Sequence, residues 1–127
     1  MNFTYEYFDK KHLVVVKITG NFRQKSTGEN KKKIFQAFKE LQFNKLLFDF
    51  REAVLSTDTI TIYYRPKTLI KIGFERDKRY AYVYNQMNPN ILFYETVLRN
   101  NGFNVYMFTD YDKALAWLES DKTELSA

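Results

Sequence analysis

Over residues 3–8 apolar and polar positions alternate, with Phe3, Tyr5 and Tyr7 on one side and Thr4, Glu6 and Phe8 on the other. A period of two predicts a strand. Asp9, Lys10 and Lys11 interrupt the pattern, and residues 12–19 resume it with the run Leu13, Val14, Val15, Val16. A hairpin is expected, its second strand deeper in the sheet and ending at Gly20. Residues 45–50, Lys-Leu-Leu-Phe-Asp-Phe, read as a short buried strand closed by Arg51 and Glu52, and residues 79–84, Arg-Tyr-Ala-Tyr-Val-Tyr, as another.

From Asn88 the period lengthens. Asn88 is placed to cap a helix opened by Pro89, whose missing N–H costs nothing there, and Ile91, Tyr94, Val97 and Leu98 share one face before Gly102 supplies a left-handed stop. Residues 103–108 form a nearly continuous apolar strand. Thr109 or Asp110 caps a last helix with Asp112 in its first turn and Tyr111, Ala114, Leu115 and Leu118 at helical spacing. Earlier, Ser26 and Glu29 have the spacing of a capping box before a helix that carries Ile34, Ala37, Phe38 and Leu41 on one side. Residues 58–72 give conflicting signals, since Thr59, Ile60, Thr61 and Ile62 alternate like a strand while Pro66 argues against a central one. They are read as a helix capped near residues 56–58, irregular around Pro66 and ending at Gly73.

The order of elements is then β β α β α β α β α. It predicts an α/β fold with a mixed, mostly parallel five-stranded sheet and about four helices, an antiparallel hairpin making one edge. Residues 1–120 are expected to form a single domain and residues 121–127 a short polar tail.

Composition narrows the chemistry. The 127 residues suffice for one core, and the chain has no cysteine and one histidine. Disulfides, thiolate nucleophiles and cysteine zinc sites are excluded, and a catalytic dyad would have to be built from carboxylates. No window is long and apolar enough for a membrane span, and a cytoplasmic location is expected. The net charge of +5 is modest and its acidic residues are interspersed, so Lys31, Lys32 and Lys33 read as a solvated helix face and no nucleic-acid partner is expected. The four glycines are dispersed and form neither a dinucleotide fingerprint nor a P-loop. His12 reads as an exposed turn residue, and Asp110 and Asp112 as helix-end residues. No catalytic set, metal site or cofactor is expected.

In open parallel sheets ligands sit beyond the carboxyl ends of the strands. That rim is expected to carry Asp49, Arg51, Ser56, Thr57 and Asp58, then Asn85, Gln86 and Asn88, then Thr109 and Asp110. Ser56 and Thr57, near a helix start, are placed to hold an anion or receive a phosphate, or simply to cap. Tyr80, Tyr82 and Tyr84 share one face of their strand, with Ala81 and Val83 on the other. Three phenols on one face suit either core tyrosines whose hydroxyls reach the rim or a cavity for an amphipathic ligand. The same strand echoes the RNA-recognition-motif consensus, but Arg79 replaces its glycine, Asn85 follows Tyr84, and helices on both faces would hide the rings.

The hairpin, the strand ending Phe48-Asp49-Phe50-Arg51, the Arg-Tyr-Ala-Tyr-Val-Tyr strand, the ending Val105-Tyr106-Met107-Phe108-Thr109-Asp110 and the following Lys113-Ala114-Leu115-Ala116-Trp117-Leu118 together resemble the SpoIIAA-like (STAS-like) family. The likeness covers almost the whole chain. It implies a four-helix, five-stranded α/β domain and a non-enzymatic regulatory or binding module. In the anti-sigma-factor antagonists of that family a serine at the start of the helix after the third strand is phosphorylated. The matching stretch here, Leu55-Ser56-Thr57-Asp58-Thr59, lacks their Asp-Ser-Ser-Gly type of sequence. The expected partner is a protein, or a small ligand, at the rim after the third strand. The alternative is a carrier of an apolar or amphipathic molecule on the Tyr80, Tyr82 and Tyr84 face. A homodimer is compatible with either.

Overall fold

The computed structural model describes residues 2–23, 33, 36–56, 67, 69–70 and 73–120. Strands β1 (Asn2–Phe8), β2 (Leu13–Arg23), β3 (Lys45–Ser56), β4 (Arg79–Val83) and β5 (Asn104–Phe108) lie side by side in that order in one sheet. β1 pairs antiparallel with β2 through the 3-10 turn Asp9–Lys11, and the other three pairings are parallel. The mixed sheet with its antiparallel edge hairpin agrees with the expected order.

Two helices, not about four, are present in full among the described residues: α1 (Pro89–Asn100) and α2 (Tyr111–Glu119). Helical backbone also occurs at Lys33, Gln36 and Ala37 and at Lys67, Leu69 and Ile70, in the connections before β3 and β4. The capping box at Ser26 and Glu29, most of the ambiguous segment 58–72 and the tail 121–127 lie outside the described residues. The two complete helices are those whose cap, first turn and apolar stripe agree. Asn88 Oδ1 accepts from Ile91 N at 2.8 Å and Asp110 Oδ1 from Lys113 N at 3.1 Å. α1 buries the expected Ile91, Tyr94, Val97 and Leu98. Gly102, at φ +87°, follows α1 with the left-handed turn that a side chain would resist. α2 buries Ala114, Trp117 and Leu118, whereas Tyr111 and Leu115 are only half-buried. The stripe is displaced because the Trp117 ring inserts between Tyr106 and Phe108, at ring centroid distances of 4.9 and 6.0 Å.

β2 and β3 run further than expected. β2 passes through Gly20, at φ +83°, and continues to Arg23; between Lys17 and Thr19 its register with β3 shifts, the extra residue lying on β3 between Asp49 and Glu52. Thr19 to Arg23 pair one for one with Glu52 to Ser56, so Arg51 and Glu52 lie inside β3 and do not close it. Each strand satisfies the other's backbone there, which polar side chains alone would not predict. β4 ends at Val83, so the last part of β3 extends past the sheet as one side of a two-stranded parallel ribbon.

The sheet separates two apolar layers. Under α1 lie Phe48, Phe50, Tyr80, Tyr82, Val105 and Met107, with Phe38, Leu69 and Phe74 from the connections. Under α2 lie Leu13, Leu47, Ala81, Val83 and Phe108. Small Ala81 and Val83 let α2 approach the sheet, while the opposite side of the same strand is filled with rings.

Candidate functional site

Among the described residues the carboxyl rim holds one polar group that is both buried and charged. Asp49 is 5% exposed, on the α2 side of β3, opposite Val83 of β4 and Lys17 of β2. Its neighbour on the same face, two residues on, is Arg51. The guanidinium binds the carboxylate in a fork, with Nε at 2.9 Å from Oδ1 and Nη2 at 2.9 Å from Oδ2, and the Arg51 backbone N–H donates to Oδ1 at 3.1 Å. Asn85 Nδ2 donates to the Arg51 carbonyl, tying the β4 exit to β3. The Arg51 Cζ lies 4.8 Å from the centre of the Tyr111 ring, at the first residue of α2. Cation, carboxylate and ring form one unit because β3 alternation puts positions 49 and 51 on the face that α2 covers.

Burial alone would push the Asp49 carboxyl up. The hydrogen bonds and charge of Arg51 outweigh it and hold the group below its ordinary value. Burial, followed by the Asp49 charge, pushes the Tyr111 phenol up. Arg51 itself keeps a side chain 43% exposed. Two of its five N–H donors are used on Asp49, and the other three make no bond among the described residues. The result is a cation held in a fixed orientation with donors facing outward, suited to a carboxylate or phosphate oxygen. Beside it Lys17 bridges Glu52 at 2.7 Å, on the strand ribbon. That pair and the role of Tyr111 were not foreseen, since both depend on strand register and on where α2 docks.

Of the remaining rim candidates, Ser56 is the last residue of β3, and Thr57 and Asp58 lie outside the described residues. The three tyrosines are not brought to this site, because the sheet stands between. Tyr80 and Tyr82 are 0% exposed and Tyr84 is buried beside them. The Tyr80 ring stacks on Phe74 at 4.2 Å and its hydroxyl accepts from Glu75 N at 2.9 Å; burial pushes this phenol far up. Tyr82 meets Phe48 edge-on at 5.1 Å and approaches the Tyr94 hydroxyl at 3.4 Å, while Tyr84 stacks on Phe50 at 5.4 Å. Rings so enclosed offer no stacking face to a base.

Concavities lined by described residues open at the opposite, amino rim. One, of about 270 Å³, is lined by Asn44, Lys45, Asp77, Arg79, Glu119 and Ser120. Another, of about 400 Å³, lies beside His12, Phe43 and Lys78. His12 is exposed and left-handed at φ 52°, as a turn residue. Among the described residues no group of three or more His, Cys, Asp or Glu side chains is placed to hold a metal ion, and no helix is long and apolar enough to cross a membrane.

No protein-family model and no curated protein matches the sequence. Solved structures do match its fold. An anti-sigma factor antagonist from Mycobacterium paratuberculosis superposes with a TM-score of 0.60 at 15% identity, over 94% of this chain and 96% of its own. The anti-sigma factor antagonist SpoIIAA in its unphosphorylated form gives 0.51 at 14% identity, over 94% and 99%. An uncharacterised protein with a SpoIIAA-like fold from Shewanella loihica gives 0.53 at 21% identity, over 92% of both chains. Identities this low carry the architecture and nothing finer, and the architecture, over more than nine-tenths of the chain, is the SpoIIAA-like fold.

Proposed function

We propose that the chain is a non-enzymatic regulatory module of the STAS-like type that binds a protein partner at the rim after β3. The observation that carries this reading is the Arg51 guanidinium, oriented by buried Asp49 and left with outward donors. Its occupant is an acidic or phosphorylated group on the partner, flanked by the β2–β3 ribbon and the exposed Val54 side chain. The fold shared with two anti-sigma factor antagonists supports protein binding as the activity. Ser56 ends β3 and Thr57 follows it in sequence; a phosphate added at either would change the charge next to the proposed partner site. A cytoplasmic setting goes with this reading.

The test is a comparative capture from extract of the cells that make the protein, using wild type and Arg51→Glu. Support is a protein retained by wild type and lost with the variant, which after purification binds wild type and loses at least about ten-fold in affinity with Arg51→Ala. A purified partner whose affinity is unchanged by Arg51→Glu removes the rim as the site. The phosphorylation version predicts modification at Ser56 or Thr57 and weaker binding with Ser56→Asp or Thr57→Glu. Unmodified residues and unchanged binding end it. Native mass spectrometry of freshly purified protein reads retained small molecules and a homodimer in the same measurement.

A further inference from the structure

β1 and β5 are the two margins of the sheet. Among the described residues β5 has β4 on one side only, and an uncovered margin of this kind is a template for another strand. Tyr84 N donates to Phe108 O, so residues 104, 106 and 108 face β4 and residues 105 and 107 face outward. Both outward residues are engaged by α1. Glu95 Oε2 accepts from Met107 N at 2.6 Å, and Arg99 Nη1 donates to Val105 O at 3.2 Å. Glu95 and Arg99 stand four apart, the spacing of an intrahelical ion pair, yet their side chains reach the strand.

Arg99 does more than donate. α1 packs on one face of the sheet, with Val105 and Met107, while Tyr106 belongs to the layer on the other face, against Trp117. The Arg99 Cζ lies 4.0 Å from the centre of the Tyr106 ring. The side chain therefore starts on one face, bonds the margin and ends on the opposite face. It is a strap across the place an incoming strand would occupy.

We propose that Glu95 and Arg99 close the β5 margin against strand addition, so that their removal makes β5 pair with β5 of a second copy. Charged side chains holding the outward N–H and C=O take away the template, and the guanidinium on Tyr106 blocks the approach. No residue of the β3 rim takes part, and the inference stands whether or not a partner binds there.

The experiment uses the full chain with Glu95→Ala and Arg99→Ala combined, and Glu95→Gln with Arg99→Lys as the conservative pair. Sedimentation velocity over a wide concentration range should show the double alanine variant moving to a larger, concentration-dependent species than wild type. The conservative pair should stay close to wild type. Amide exchange followed by NMR in dilute solution should show Met107 N–H exchanging about ten-fold faster in Glu95→Ala, with little change for the β4-facing amide of Tyr106. A folded double variant that sediments as wild type at every concentration overturns the proposal, even if it is less stable. Should the double variant fail to fold, the single variants decide. Association in the same direction supports the strap, and wild-type sedimentation with wild-type Met107 exchange refutes it.

Discussion

Two arginines bracket helix α2, and their surroundings are opposite. Arg79 begins β4 and directs Nη1 to the carbonyls of Trp117 and Leu118, at 3.1 and 3.4 Å, and to that of Ser120, while its Cζ lies 5.7 Å from the Trp117 ring centre. A cation at the end of a helix meets unsatisfied carbonyls and the negative end of the dipole. Arg51 sits at the other end of the same helix, over Tyr111, where the dipole disfavours a positive charge. It is held there by Asp49. The first arrangement is what folding by itself favours. The second goes against local electrostatics and requires a buried carboxylate, yet leaves donors facing out, as the proposed recognition role requires.

If that contrast is right, the variants separate in a fixed order. Asp49→Ala has the largest effect, because it strips the Arg51 cation of its partner at the unfavourable end of α2 and empties a buried position; about 3 kcal/mol of stability should be lost in urea denaturation. Arg79→Ala comes next, at about 2 kcal/mol, since charge-assisted bonds to the end of α2 disappear without a buried charge being left behind. A loss of stability with Arg79→Ala as small as that of Arg51→Ala would break the comparison. Arg51→Ala should cost about 1 kcal/mol, because removing the half-exposed side chain that covers the Asp49 carboxylate opens it to water, and the position-51 backbone N–H still serves it. It should nevertheless lower affinity for the proposed partner at least about ten-fold, an effect that Arg79→Ala should not have.

The smallest effect is on pH dependence. Asp49 is held below the ordinary 3.8, so in acid the unfolded chain binds a proton that the folded chain does not. Its contribution is therefore complete above the unfolded value and fades as pH falls below it toward the folded one. Denaturation midpoints across this acid range should fall more steeply for wild type than for Asp49→Asn. Parallel slopes would mean that the Asp49–Arg51 fork is not formed in solution.

Much of this was legible along the chain because it depends on neighbours in sequence. The Asn88 cap, the Pro89 start, the Ile91, Tyr94, Val97 and Leu98 stripe and the Gly102 stop are all short-range, and all are found where the spacing put them. Asp49 and Arg51 were both expected at the rim, but their fork was not, since Arg51 read as the residue closing the strand. The tyrosines were legible as one face, but which face was not. Alternation fixes which residues share a side and says nothing of which helix covers it.

The chain by itself thus determined the strand and helix order, the caps and the alternation, since each rests on backbone sterics and on spacings of a few residues. The folded arrangement decided the rest. It carried β2 and β3 onward as a ribbon past Arg51, because only paired strands satisfy one another's N–H and C=O groups. It set the tyrosine rings on one side of the sheet and the Asp49–Arg51–Tyr111 unit on the other, and it sent Glu95 and Arg99 to β5. Contacts between residues distant in sequence follow from register and helix docking, and those are fixed by close packing across the whole sheet.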